Sequence, residues 1–200
     1  RPPRSTLFPY TTLSDLCQGS YAWVWSLLDN FLPFGGIQAS VGDLFRIEDG
    51  QVREHWVYAE PYNNTGLAHD MIRAMTPQPG LLGPVAATAG LNLDANKEVV
   101  TNVLTALNTG DTGTVSNLLA TNLIQHSSLI KNDGSAAVAT YFQNNPTFIR
   151  PLTIIADGAM VFVQAHLTTP ADCGQDLKGS AAFLLFQVDD ELQQVVEMWS

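Results

Sequence analysis

The chain has 200 residues, 46% of them hydrophobic, and 19 acidic against 9 basic side chains give it a net charge of -10. That apolar content supports a packed core, while the charged fraction of 14% is well below the globular norm of about 25%. The lack of clustered Lys and Arg counts against nucleic-acid or anionic-membrane partners, and no apolar run approaches the length of a membrane span.

Residues 1–16 are set aside from the fold. Arg1-Pro-Pro-Arg-Ser-Thr-Leu-Phe-Pro-Tyr-Thr-Thr-Leu13 resembles the translation of a short-read sequencing adapter. A one-base deletion in the adapter's last codons yields the Leu13-Ser-Asp-Leu16 that follows. The expectation is an adapter-derived arm, with native sequence starting near Cys17.

Residues 20–28 and 37–48 read as strands, separated by a loop at 29–36 with Pro33 and a Gly35-Gly36 turn signal. Asp49-Gly50 closes a tight hairpin, and residues 52–59 return as a third strand. The Pro- and Gly-rich stretch 63–93 reads as a linker, with a short helix over 67–75 and a lone glycosylation sequon at Asn63-Asn-Thr65. Asp94 is the expected N-cap of a helix with Val99, Val100, Val103, Leu104 and Leu107 at helical spacing, ending at Gly110. Helical stretches at 114–119 and 134–142 follow, with Leu123-Ile-Gln-His126 and a polar loop between them. Strands at 148–156, 159–169, 180–188 and 192–199 complete an α+β order, helices first and an antiparallel meander after.

Strand 180–188 is apolar on both faces. Phe183 and Leu185 point one way, and Ala182, Leu184, Phe186 and Val188 the other. A sheet of this kind is expected to be covered on both sides. Helices account for one side; a second sheet, from the same chain or from a second copy, is the expected partner of the other. Cys17 and Cys173 form no metal-ligand or disulfide spacing, four scattered histidines make no metal site, and neither a phosphate-binding loop nor a nucleophile elbow is present.

Two stretches echo each other. Asp43-Leu-Phe-Arg-Ile-Glu-Asp-Gly-Gln-Val-Arg-Glu-His-Trp56 recurs as Leu184-Leu-Phe-Gln-Val-Asp-Asp-Glu-Leu-Gln-Gln-Val-Val-Glu-Met-Trp199, with two residues inserted at the turn. Upstream, Gln18-Gly-Ser-Tyr-Ala-Trp-Val-Trp25 lines up with Asp157-Gly-Ala-Met-Val-Phe-Val-Gln164. The reading is a partial first copy at 17–62, the linker, and a nearly complete second copy at 94–200.

The Gln125-His126 pair, the Ala156-Asp-Gly158 turn and the run 43–56 resemble the SnoaL-like polyketide cyclase branch of the nuclear transport factor two-like superfamily. The resemblance implies a cone-like, curved antiparallel sheet packed on N-terminal helices, with a pocket between them. It also implies that the aspartate opening the Asp-x-Phe-Arg strand is the acid or base of a ring closure next to a carbonyl, without metal or organic cofactor. The carry-over is split. The first copy has the aspartate, Asp43, without helices or a Gln-His pair of its own; the second has helices, Gln125 and His126, with Leu184 at the aspartate position.

Each candidate has a structural alternative. Asp43 is a catalytic carboxylate or a strand-end partner of Arg46 or Arg53. His55 packs on the sheet. His126 lines a pocket or caps backbone carbonyls. Met160, Phe162, Gln164 and His166 share one strand face, a pocket wall if that face is concave. Asp157 belongs to its turn, Trp23 and Trp25 to core or interface, and His69 lies in the linker. The expected site is therefore catalytic Asp43 with a ligand pocket of His126, Gln125, Gln164, His166 and Phe162. Its partner is a small apolar or carbonyl-containing molecule and its activity an acid/base cyclisation or isomerisation; the alternative is a non-catalytic ligand-binding or dimerisation module.

Overall fold

The computed structural model describes residues 11–31, 37–61, 92–127, 129–172 and 179–200. The chain divides into two compact units, Arg1–Gly83 and Pro84–Ser200. The helix expected at 67–75, the linker with its sequon and His69, the Pro33 and Gly35-Gly36 turn, Cys173, and residues 1–10 lie outside the described residues.

In the first unit, β1 (Thr11–Gln18), β2 (Tyr21–Phe31), β3 (Ile37–Glu48) and β4 (Gln51–Pro61) form one antiparallel sheet in chain order. Asp49 and Gly50 both take positive φ, 52° and 71°, as a two-residue hairpin whose twist matches its strands demands. Two expectations are corrected. Strand β2 runs on to Phe31, into the expected loop. Residues 11–16, set aside as an arm, are paired along β2 from Thr11. A strand edge offers open N–H and C=O groups to whatever backbone lies beside it, and side-chain identity matters little to that pairing.

The second unit is α+β. It contains α1 (Leu93–Thr109), α2 (Thr112–Leu118), β5 (Leu119–Gln125), α3 (Ser135–Asn144), β6 (Phe148–Asp157), β7 (Met160–Thr168), β8 (Ser180–Asp189) and β9 (Gln194–Trp199). The sheet order is β5-β9-β8-β7-β6, with β5 parallel to β9 and the other neighbours antiparallel. Leu119, read as the end of a helix, and residues 120–125, read as part of a connection, are therefore an edge strand whose partner lies at the other end of the unit.

The N-cap of α1 is Asn92, not Asp94: its Oδ1 accepts from the Ala95 backbone N–H at 3.1 Å. Asp94 stands in the first turn, where a carboxylate suits the helix dipole, and pairs with Lys97 at 2.8 Å. Gly110 ends the helix in the left-handed conformation, φ 69°, as expected. Asp111 caps α2 by accepting from Thr114, which starts that helix at Thr112 rather than Thr114. The Thr114 hydroxyl and backbone bonds hold the Asp111 carboxyl below its ordinary range.

The apolar stripe of α1, Val99, Val100, Val103, Leu104 and Leu107, packs into one core with Val161, Val163, Leu184, Phe186 and Met198 from the sheet. Each such side chain contributes about 1.5–3 kcal/mol when taken out of water. The opposite face of the same strands is buried too, at Phe162, Phe183, Leu185 and Trp199, in keeping with the apolar content of both faces of β8.

The two sheets share two of their irregularities. β1 has a register shift between Thr12 and Ser14, and β6 has one at the matching Pro151 and Thr153. β3 shifts between Arg46 and Ile47, and β8 at the matching Gln187 and Val188. Bulges bend a strand and sharpen its twist, so both meanders are bent at the same two places.

Candidate functional site

The β3–β4 hairpin builds the first polar pair. Its register sets Phe45 opposite His55 and Asp43 opposite Val57, so Asp43 and His55 are diagonal neighbours on one face. Asp43 Oδ1 lies 2.7 Å from His55 Nε2. The Asp43 side chain is 21% exposed and that of His55 42%. An ionised carboxylate only accepts, so Nε2–H donates and a neutral imidazole keeps its lone pair on Nδ1. Phe45 lies flat on the ring, centroids 4.5 Å apart and planes 7° apart, fixing its orientation.

The structural alternative for Asp43 fails at both named arginines. Arg46 is held by Glu54 through Nε and Nη2, each at 3.0 Å, and also by Glu48, while Arg53 approaches Asp49 at 4.0 Å. The fork-to-fork bond with Arg46 lowers the Glu54 carboxyl below its ordinary value, and the Arg46 guanidinium is raised in turn.

The second unit replaces this pattern residue by residue. Leu184 and Met198 stand where Asp43 and His55 stand, and both are core. Gln187 replaces Arg46, so Glu197, the counterpart of Glu54, has no guanidinium opposite it in the register. Glu197 Oε1 instead lies 2.7 Å from Nε2 of His126, whose side chain is 5% exposed against 19% for Glu197. Trp199 stacks on the imidazole at 5.1 Å and 11°. The His126 backbone N–H donates to the Met198 carbonyl at 2.9 Å, and its Nδ1 is buried without a hydrogen-bond partner. Glu197 was not singled out from sequence, although the loss of its arginine is visible there once the two runs are aligned.

The remaining pocket candidates are placed differently from expectation. Gln125 braces a loop: its Nε2 donates to the Ile130 carbonyl and its Oε1 accepts from the Ser127 N–H, both at 2.7 Å. Phe162, Gln164 and His166 lie on the β7 face opposite Val161, Val163 and Ala165, and those three fill the helix side. They therefore do not line a pocket under the helices, because strand alternation gives that side to the smaller apolar residues. Phe162 packs edge-on against Phe183 at 5.2 Å, and Gln164 accepts from the Thr153 hydroxyl at 3.2 Å. His126 and His166 share a face without converging: His126 stacks on Trp199, which pairs with Leu185, and His166 pairs with Ala181 further along β8.

Among the described residues no group of three or more His, Cys, Asp or Glu is placed to hold a metal ion, and no helix is long and apolar enough to cross a membrane. A cleft of about 400 Å³ opens where α1 and α3 end.

No protein-family model matches the chain, and no curated protein does. Solved structures do. A putative polyketide cyclase from Sinorhizobium meliloti is 15% identical, over 51% of this chain and 92% of that one, with a TM-score of 0.43. A putative ketosteroid isomerase from Kribbella flavida is 15% identical over 55% and 78%, TM-score 0.46. An NTF2-like protein of unknown function from Cytophaga hutchinsonii is 14% identical over 52% and 86%, TM-score 0.45. These are likenesses of fold, in one case to a protein described as NTF2-like.

Proposed function

We propose that the Asp43–His55 pair moves a proton at the carbon next to a carbonyl, or at its oxygen, in a small and largely apolar molecule. Cyclisation or isomerisation of a polyketide-like compound has that requirement. The observation that carries this reading is the 2.7 Å contact between Asp43 Oδ1 and His55 Nε2. With Oδ1 held by the imidazole, Oδ2 is the oxygen left to take the proton, and the electron pair of the broken C–H bond moves onto the carbonyl oxygen as an enolate. Return of that proton to a different atom completes an isomerisation; attack of the enolate carbon on a second carbonyl closes a ring, and the proton held on Oδ2 then passes to the alkoxide oxygen so formed. Val24 and Val57 flank Asp43 in the register and supply an apolar approach.

The test is binding of 2-naphthol, whose naphtholate mimics an enolate, followed by fluorescence across neutral pH. The expected result is a pH-dependent affinity that Asp43→Asn abolishes. An unchanged pH profile in that variant would sink the reading.

A second reading is a non-catalytic ligand-binding or dimerisation module. It is favoured by one observation, that Leu184 and Met198 fill the positions of the pair with core side chains. Binding of an apolar dye that is indifferent to Asp43→Asn, with no turnover of any β-dicarbonyl compound offered, is the result it expects.

A further inference from the structure

We propose that the outer edge of β4 docks an extended, uncharged polypeptide segment of another molecule, which runs parallel to β4 and carries an imidazole or aromatic ring at its C-terminal end. Docking there uses backbone groups and does not depend on the chemistry of the Asp43–His55 pair.

Strands β4 and β9 are counterparts. Gln51-Val-Arg-Glu-His-Trp56 and Gln194-Val-Val-Glu-Met-Trp199 agree at four of six positions, and each strand closes its meander beside a matching register shift. The outer side of β9 is covered by β5, which runs parallel to it with Leu119 beside Val195, Ile124 beside Glu197 and Gln125 beside Met198. Among the described residues no strand lies beyond β4, and Val52 and Val57 are 59% and 55% exposed.

The second sheet spends the backbone groups of both its outer edges. On β6, the Asn108 side-chain amide donates to the Ile149 carbonyl at 2.8 Å and accepts from the Ile149 N–H at 2.7 Å, and Pro151 has no N–H to offer. On β5, the Leu123 carbonyl accepts from the Gly134 N–H at 2.8 Å, and the Gln125 N–H donates to Asp133 Oδ1 at 3.1 Å. Strand β4 has no proline before Pro61, its last residue. An edge of that length with open N–H and C=O groups is a template for one more strand.

The β5–β9 ladder shows which strand fits. The His126 N–H donates to the Met198 carbonyl at 2.9 Å, so Met198 turns its backbone groups outward. Its counterpart His55 does the same, and so does Val57 two residues on. The pairs Phe45–His55 and Asp43–Val57 then exchange no hydrogen bonds, the arrangement that brings facing side chains closest, in keeping with the 4.5 Å ring stack of Phe45 on His55. A segment docked in the manner of β5 lays its terminal ring over Trp56, as His126 lies over Trp199 at 5.1 Å and 11°. Glu54 is already neutralised by Arg46, so the segment needs no cation. An acidic segment, or a second copy of a chain with a net charge of -10, is repelled at long range.

The experiment is a fluorescence-anisotropy titration of the full chain into a labelled synthetic peptide with the sequence of residues 119–127, followed by hydrogen exchange of the complex. Saturable binding is expected, with slowed exchange at the His55 and Val57 amides and no change at Met198. Val57→Pro removes an N–H that β3 does not use, a change that edge strands tolerate, and should weaken binding about tenfold. N-methylation of the peptide at its histidine removes the matching hydrogen bond from the other side, leaves the protein untouched, and should also weaken binding about tenfold. Asp43→Asn should bind the peptide as the parent chain does. Absence of saturable binding, or equal affinity for the N-methylated peptide, overturns the proposal. Altered exchange at Met198 does so too, because the peptide would then be replacing β5. Sedimentation as a dimer with β4 amides protected before any peptide is added would give the edge to a second copy and overturn it as well.

Discussion

The first sheet presents Asp43, Phe45 and His55 where the second presents Leu184, Phe186 and Met198, on strands that share register and bulges. In the second unit that face meets the stripe of α1 and is wholly apolar. In the first, whose described residues include no helix, the same positions hold a hydrogen-bonded pair. The opposite face changes in step. With Arg46 present, Glu54 is neutralised across the hairpin; with Gln187 in its place, Glu197 turns to His126. A single backbone plan thus carries polar chemistry on either side, and which side is decided by two or three side chains and by the layer packed above them.

Exchanging the residues that differ should break this comparison first where burial is deepest. Leu184→Asp puts a carboxylate into the α1 core and should cost roughly 4 kcal/mol or more. The reverse change, Asp43→Leu, should cost under about 1 kcal/mol. Urea unfolding of both variants decides it, and equal losses would mean the two faces are not as different as they look. A smaller effect is expected from Glu197→Gln, about 1–2 kcal/mol, because a charge-assisted bond to a buried imidazole becomes a neutral one. The His126 ring resonances should shift in that variant while those of His55 stay put.

The smallest effect is electrostatic and lies on the acid side. The hydrogen bond from Arg46 holds Glu54 below its ordinary value of 4.5, so the folded state binds this proton less readily than the unfolded one. The pairing contributes above the unfolded-state value and fades as pH falls through the lower folded-state value. Arg46→Gln, which copies the second unit, should return the Glu54 titration to the ordinary carboxylate range. Side-chain carboxyl NMR would show it, and an unmoved Glu54 would place the cause elsewhere.

The four strands of the second meander could be read within a residue or two, because turns at Asp157-Gly158 and after Asp189 bound runs of apolar alternation. Gly110 could be read as a helix stop for the same local reason. Asn92 was missed as a cap because Asp94 is an equally good capping type and the geometry that separates them lies in the first turn. Strand β5 was missed because Leu123-Ile-Gln-His126 has no local signal and its partner is far along the chain. Asp43 was singled out in the sequence, but His55, in the same motif, was read as packing on the sheet, because the diagonal contact between them depends on the hairpin register. His126 was legible as a residue but not as a pair, since Glu197 comes from a different strand. The pocket wall of Phe162, Gln164 and His166 was grouped correctly on one face; which face the helices take is a tertiary choice that alternation alone leaves open.

The parallel pairing of β5 with β9 also orders the protein's birth. Strand β5 leaves the ribosome well before the strand that will lie beside it, and α3 and three strands are synthesised in between. At ordinary synthesis rates that is a wait of several seconds, during which Leu119 and Leu123 of β5, fully buried in the finished unit, stand open to solvent or chaperone. The β5–β9 pairing can therefore form only after the last strand has been made. The first hairpins need no such wait, since each of their strands is followed at once by its neighbour.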